Sequence, residues 1–295
     1  LQRYPDPLAT AFRLRAGDVL GVDPDWMLCG NGSDDCLTII TRSFVDSGDV
    51  VRYPNPSYVL YKTLAEIQGA ACDVVSFDDQ WALGPQFTAE RDRLKLAYLA
   101  NPNSPSGTVL PPERVAEIAA ALPCPLVVDE AYADFAETNC LSLVPKFENV
   151  LVTRTLSKSY ALAGMRFGFV IAQPALIEQL AKVKDSYNCD AVSIAAATAA
   201  IDDQEWLTAN RRQILATRVR LAKALAELGF TVASSQANFV WCTREQPVKP
   251  VYQHLKENGV LTRYMQFNDW GEGLRITVGT DPQVDACLAM LKSAV

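Results

Sequence analysis

Histidine is almost missing from this 295-residue chain: His254 is the only one. A lone imidazole excludes a multi-histidine metal site. A Ser-His-Asp hydrolase has no support either, because His254 falls in Pro250 to Asn258, which reads as an ordinary surface helix. Acid–base work must fall to other side chains. Long apolar runs are missing too, and the stretch from Phe167 to Ala172 is far short of the roughly 20 residues a membrane span needs. No block of like charge stands out, and 34 Asp and Glu outnumber 27 Lys and Arg for a net charge of -7, so no nucleic-acid-binding face and no membrane partner are expected. Closely spaced cysteine pairs are absent. The eight cysteines (29, 36, 72, 124, 140, 189, 242 and 287) lie at least seven residues apart, a pattern of reduced core thiols in a cytoplasmic protein and not of a disulfide frame or zinc ribbon. No charged segment leading into an apolar one follows Leu1, so no secretory signal is read there.

What is present is enough apolar chain, 49% of residues against 21% charged, to bury a large core and a smaller second one. From residue 26 to residue 172 short β-rich runs alternate with helical patterns. The strand runs are Trp26 to Cys29, Val50 to Arg52, Ala71 to Phe77, Leu96 to Leu99, Leu126 to Val128, Val150 to Thr153 and Phe167 to Ile171; helices start at Ser33, Tyr58 and Pro112. Such alternation predicts a mainly parallel sheet covered by helices, with the wholly apolar Leu126-Val127-Val128 deep inside it. Pro174 to Gly229 reads as a long helical section with few breakers, of the kind that bridges two domains. The remainder reads as a small α+β unit with strands at Phe230 to Ala233, Phe239 to Cys242 and Leu274 to Val278 and helices at Val251 to Glu257 and Gln283 to Ser293.

Four segments carry chemistry. Thr153-Arg154-Thr155-Leu156-Ser157-Lys158-Ser159-Tyr160, followed by Gly164-Met165-Arg166-Phe167-Gly168, places a lysine among hydroxyls with an arginine between glycines. Hydroxyls and a guanidinium hold a phosphate ester well, while the lysine reaches a nearby carbonyl. Asp129-Glu130-Ala131-Tyr132 stands at the carboxyl end of the buried strand, where open α/β sheets bind ligands. A carboxylate buried there needs a cationic partner, and the protonated pyridine nitrogen of pyridoxal phosphate (PLP) is one that also makes the ring an electron sink. Tyr132 is then within reach of the ring's phenolic oxygen. Gly30-Asn31-Gly32-Ser33-Asp34-Asp35 follows a strand and opens a helix, making an anion site, although a simple helix cap explains Ser33 or Asp34 as well. Tyr53-Pro54-Asn55-Pro56-Ser57-Tyr58 presents an aromatic after a rigid turn.

In this order the segments resemble the fold-type I PLP aminotransferases, most closely the histidinol-phosphate aminotransferase family, from Arg3-Tyr4-Pro5 through Leu274-Arg275-Ile276-Thr277-Val278-Gly279. The resemblance implies an α/β fold whose mainly parallel sheet is of the seven-stranded type, with a smaller α+β carboxyl-terminal domain. Residues 1–19 would form an amino-terminal arm and helix, 20–210 the large PLP-binding domain and 211–295 the small domain. It implies Lys158 as the Schiff-base lysine, Asp129 as partner of the ring nitrogen, Tyr132 at the ring hydroxyl and Tyr58 stacked on the ring. Ser33, Asp34, Ser157 and Arg166 would hold the phosphate. Tyr4 matches the tyrosine that reaches the phosphate site of a neighbouring subunit, which implies a homodimer.

Two departures stand out. Ser104, in Asn101-Pro102-Asn103-Ser104-Pro105-Ser106-Gly107, replaces the asparagine that usually bonds the ring oxygen; either Ser104 makes a shorter contact or Asn103 moves in. The arm that precedes the Arg-Tyr-Pro element in the family is also absent from this sequence. For the acidic end of the substrate the candidates are Arg275 and Arg263, since a guanidinium grips carboxylate or phosphate through two bonds. Asn238 matches the family's asparagine near the substrate. The expected reaction moves an amino group between glutamate or 2-oxoglutarate and histidinol phosphate or imidazole acetol phosphate, with Lys158 as the base. An aromatic aminotransferase or a threonine-phosphate decarboxylase would share these cofactor residues. A PLP-binding regulatory or interaction module is the reading outside enzymes, and no basic helix-turn-helix segment supports it.

Overall fold

The computed structural model describes residues 2–294. Strands and helices follow in the order α1 (Thr10–Leu20), β1 (Met27–Gly30), α2 (Ser33–Phe44), β2 (Val50–Asn55), α3 (Leu60–Ile67), β3 (Ala71–Ser76) and β4 (Leu94–Ala100). Next come α4 (Pro112–Ala121), β5 (Leu126–Asp129), β6 (Val150–Thr155), β7 (Gly168–Ile171), α5 (Pro174–Val183), α6 (Ala191–Asp202) and α7 (Gln204–Glu227). The chain closes with β8 (Thr231–Val232), β9 (Phe239–Thr243), α8 (Lys249–Glu257), β10 (Arg263–Phe267), β11 (Gly271–Thr277) and α9 (Asp281–Ala294).

The expected α/β architecture is present: a seven-stranded sheet of order β1-β7-β6-β5-β4-β2-β3. Its pairings β2/β3, β2/β4, β4/β5 and β5/β6 are parallel, and only β7 runs against its neighbours. The reversal has a local cause. A parallel return needs a crossover, usually a helix, and the β6–β7 connection holds just a short turn at Ala163–Met165. That connection carries Lys158. Because β7 doubles back, its start at Gly168 lies between Thr155 of β6 and Gly30 of β1. The Gly30–Ser33 loop, the Lys158 loop and the end of β5 at Asp129 therefore share one edge of the sheet.

Successive residues of the central strands enter opposite cores: Leu126 and Val128, with Val150 and Val152, pack on one side, and Val127 with Leu151 on the other. Helices cover both faces, so these strands read as unbroken apolar runs. A third core joins α7, α8 and α9 to one face of a second, antiparallel sheet of order β10-β11-β9-β8. Helix α7 runs unbroken past residue 210, the boundary expected from the sequence, into this unit.

Three local readings need correction. The Pro174–Gly229 section is three helices: a polar interruption after Val183 ends α5, then Asp190 caps α6 by accepting from the Val192 and Ser193 amides, and Asp203 caps α7 through the Trp206 amide. These are ordinary Asp caps on polar breaks. Strand β10 was not expected, because Arg263-Tyr264-Met265-Gln266-Phe267 has no clean alternation; it forms by pairing with β11. The helix expected from Tyr58 begins at Leu60, leaving Tyr58 in the loop. All eight cysteines are free, seven of them buried, and burial pushes the Cys124 and Cys287 thiols up to about 11, well away from the reactive thiolate. Among the described residues no helix is long and apolar enough to cross a membrane.

Candidate active site

Asp129 is the last residue of β5 and only 5% exposed. Its Oδ1 accepts from the Thr153 hydroxyl at 3.2 Å and the Ala131 amide at 3.3 Å, and its Oδ2 from the Tyr61 hydroxyl at 2.8 Å. No lysine, arginine or histidine among the described residues forms an ion pair with it, and burial raises its proton affinity against the pull of those three donors. A buried carboxylate with no cation, facing a cleft, is a charge awaiting a partner.

The other end of the cleft is built for an anion. Helix α2 opens at Ser33 with free amides. Ser33, Asp34, Ser157 and Arg166 line the cleft together with Tyr58, Ser104, Asp129, Tyr132 and Lys158. Arg166 adopts a left-handed backbone (φ 50°) and lies 3.6 Å from Asp34. Space there exists because two residues lack side chains. A Cβ on Gly32 would come within 2.5 Å of Arg166 Nη2, and one on Gly168 within 2.3 Å of the Ser33 amide nitrogen. The Thr155 hydroxyl donates to Ser157 Oγ at 3.0 Å and thereby orients it.

Between these ends Lys158 reaches Nζ to 5.5 Å from the centre of the Tyr132 ring. The desolvating walls of the cleft, then the charges of Arg275 and Arg166, lower its proton affinity, while Asp34 and Asp129 oppose them. Tyr58 donates to Asp34 Oδ1 at 3.2 Å, and burial and the carboxylate hold it protonated. Arg275 arrives from the second sheet: its Nη1 donates to Ser104 Oγ at 2.7 Å, and its guanidinium covers Phe239 at 5.0 Å, which itself meets Tyr132 edge-on at 4.9 Å. The open choice at Ser104 is thus resolved. Asn103 is buried and spent on Ser57, Ser106 and the Pro56 carbonyl, so Ser104 is the residue facing the cleft.

Four expected residues are not among those that line the cleft; one of them, Arg275, reaches it through Ser104. Arg263 is exposed at the start of β10, directly opposite Arg275 and on the same face of the small sheet. Asn238 is half-buried and contributes its carbonyl to the Val278 amide. Tyr4 is 80% exposed and stacks on Tyr187 at 4.5 Å. Two residues escaped the sequence reading: Thr153, which faces Asp129 across β5 and β6, and Tyr61, which reaches the same carboxylate from α3. A threonine at the end of a strand opposite an aspartate is a usable signal; nothing local marks Tyr61. His254 bonds Ser293 between α8 and α9, outside the cleft.

A flat ring with a cationic nitrogen at one end and a phosphate at the other meets both needs of this cleft, beside an amine able to hold it. That demand, on the carboxyl edge of this sheet, defines the class: a fold-type I PLP enzyme. The sequence profile described as aminotransferase class I and II matches residues 1–291. The chain belongs to that family, PLP-dependent enzymes that move an amino group from a donor to a keto acid. A histidinol-phosphate aminotransferase of Rhodopirellula baltica is 56% identical over 297 residues, covering 100% of this chain and 82% of its own. Another, from Nostoc sp., is 44% identical over 293 residues, or 99% and 83%. The solved histidinol-phosphate aminotransferase of Sinorhizobium meliloti in complex with pyridoxal-5'-phosphate superposes with a TM-score of 0.93 at 28% identity, covering 99% of this chain and 84% of that one.

Proposed function

We propose that this chain is a cytoplasmic, homodimeric aminotransferase of histidine biosynthesis, exchanging an amino group between glutamate or 2-oxoglutarate and histidinol phosphate or imidazole acetol phosphate. The observation that carries the reading is the meeting of Lys158 and Asp129 in one cleft, with Arg275, brought from the second sheet, bonded to the cleft-lining Ser104. The names of the relatives at 56% and 44% identity support the substrate, and eight unpaired cysteines support the compartment.

Bound PLP supplies an electron sink that makes the substrate Cα proton removable. Lys158 Nζ would carry the cofactor in the resting enzyme. When free, it would accept the substrate Cα proton, a task suited to an amine whose proton affinity the cleft has lowered. The same Nζ would hold that proton and give it back within the cleft. Asp129 would hold the ring nitrogen and keep a proton there. Tyr132 would donate to the ring oxygen, with Ser104, which accepts from Arg275, beside it. Ser33, Asp34, Ser157, Arg166 and the amides of α2, which share the cleft, would hold the phosphate, and Tyr58 would pack on the ring. Arg275 would grip the substrate carboxylate, and Arg263, exposed opposite Arg275 across the β10–β11 pair, and Asn238 would reach the substrate only from outside the cleft lining. Residues 20–210 form the cofactor-binding unit behind the arm of residues 1–19, and residues 211–295 the unit bearing these substrate groups. Tyr4 completes the phosphate site of the second copy.

The test is a comparison of kcat/KM for histidinol phosphate, phenylalanine and phosphothreonine, with 2-oxoglutarate as acceptor. Histidinol phosphate is expected to lead by at least about tenfold, roughly 1.4 kcal/mol of transition-state preference. Carbon dioxide release from phosphothreonine, or a lead for phenylalanine, overturns the substrate assignment. A Lys158→Ala variant is expected to lack both the visible absorption of the attached cofactor and its bleaching by glutamate.

A further inference from the structure

We propose that Tyr61 is a positioning residue for the proton shared by Asp129 and the cofactor's ring nitrogen: by donating to Asp129 Oδ2 it keeps the carboxylate ionised and the proton on the nitrogen. The inference rests on the assignment of Asp129 to that nitrogen.

Tyr61 is fully buried, and Asp129 is its only hydrogen-bond partner among the described residues, at 2.8 Å. Its position is fixed on both sides. The ring stacks on Tyr98 at 4.6 Å with planes 3° apart, and Tyr58 meets its edge at 5.7 Å. Tyr98 in turn hydrogen-bonds Thr41 and the Leu37 carbonyl on α2, the helix whose first residues form the anion site. One helix therefore sets both the phosphate cradle and, through two stacked phenols, the donor on Asp129.

The two carboxylate oxygens are served unequally. Oδ1 takes the longer contacts from Thr153 and Ala131, whereas Oδ2 takes Tyr61 alone. Burial drives this carboxyl toward its neutral form, and donors to the ionised form oppose that. The shared proton has two homes, the ring nitrogen beside a carboxylate or the carboxyl beside a neutral nitrogen. An O–H donor to Oδ2 stabilises the first of these. Tyr61 can serve only as a donor here, because burial and the adjacent carboxylate hold its own proton far more tightly than usual.

The experiment loads wild-type enzyme and a Tyr61→Phe variant with PLP labelled with 15N in the ring, and compares the 15N resonances of the resting proteins alongside their melting temperatures. The substitution removes one oxygen and keeps the stack. The resonance is expected to move toward that of an unprotonated pyridine, with kcat lower by roughly ten- to hundredfold, the equilibrium factor of one hydrogen bond to a charged group, and KM for glutamate little changed. Thr153→Val, which removes a longer contact to the other oxygen, is expected to move it less. An unmoved resonance in folded, PLP-loaded Tyr61→Phe overturns the proposal. Should that variant not hold the cofactor, Tyr61→p-aminophenylalanine, a weaker donor of the same shape, is expected to give a smaller movement in the same direction, and no movement again overturns the proposal. Asp129→Asn separates the two levels: if it too leaves the resonance in place, the assignment of Asp129 to the ring nitrogen fails.

Discussion

At the residue scale the cleft pairs two groups whose charges are both costly alone. Asp129 is buried with three donors and, among the described residues, no cationic partner. Replacing it by asparagine keeps the shape and removes the charge that holds a ring-nitrogen proton. Asp129→Asn is expected to retain the cofactor on Lys158, seen as an unchanged visible absorption of the bound group, and to lose roughly a hundred- to thousandfold in kcat, the usual cost of removing one preorganised electrostatic contact. Near-normal turnover would remove Asp129 from the mechanism. Lys158 gives a pH prediction for the cofactor-free protein. Its folded proton affinity is lowered, so between the folded value and the ordinary lysine value the unfolded chain binds more protons and stability rises with pH. Below that window the cost of holding the ammonium is full. Lys158→Met is therefore expected to melt above wild type in the cofactor-free form near neutrality, with the gap closing toward pH 10.5. A gap that is constant with pH would show that the cleft does not perturb the amine.

At the element scale the anion site depends on how closely β7 approaches the start of α2. Gly168 lets the strand pass with the Ser33 amide where a Cβ would stand, at 2.3 Å from backbone that cannot swing aside. Gly168→Ala must push the two apart. The expected loss is about 1–3 kcal/mol of stability by denaturant unfolding, with a larger dissociation constant for PLP, because Ser33 and Arg166 no longer converge. A substitution that leaves PLP affinity unchanged would detach the cradle from the β7–α2 contact. Behind the cleft, β5 and β6 are tied by a buried ion network. Arg154 bonds Glu130 at 2.7 Å and Asp134 at 2.9 Å, and Asp134 also accepts from the Ser159 hydroxyl. The residues that follow Asp129 and Lys158 are thus anchored to one guanidinium.

At the scale of the whole molecule, two sheets meet over the cleft, and Arg275 and Phe239 carry the small one to Tyr132 and Ser104. Tyr4 stands outside, 80% exposed against Tyr187. In the proposed homodimer each Tyr4 serves the other copy's site, so in a mixed dimer of Tyr4→Ala and Lys158→Ala subunits both defects fall on one site and the other site is whole. Subunits of the two variants, each of low activity, are expected to recover part of the wild-type rate when unfolded together and refolded. Absence of recovery would place Tyr4 outside the partner's site.

The sequence alone determined the parts whose chemistry is written locally. The β/α alternation, the wholly apolar β5, the Asp129-Glu130-Ala131-Tyr132 turn and the Lys158–Arg166 loop each need only neighbours in the chain to be read, because burial periodicity, turn geometry and anion binding are short-range properties. It did not separate α5, α6 and α7, whose polar interruptions are brief, nor did it mark β10, which exists because β11 pairs with it. Only the tertiary structure decided which of Asn103 and Ser104 faces the cleft, that Arg275 reaches Ser104 while Arg263 stays exposed, and that Tyr61 completes Asp129. Those contacts join residues far apart in the chain. Their partners are fixed by how helices and sheets pack, and no local pattern records that.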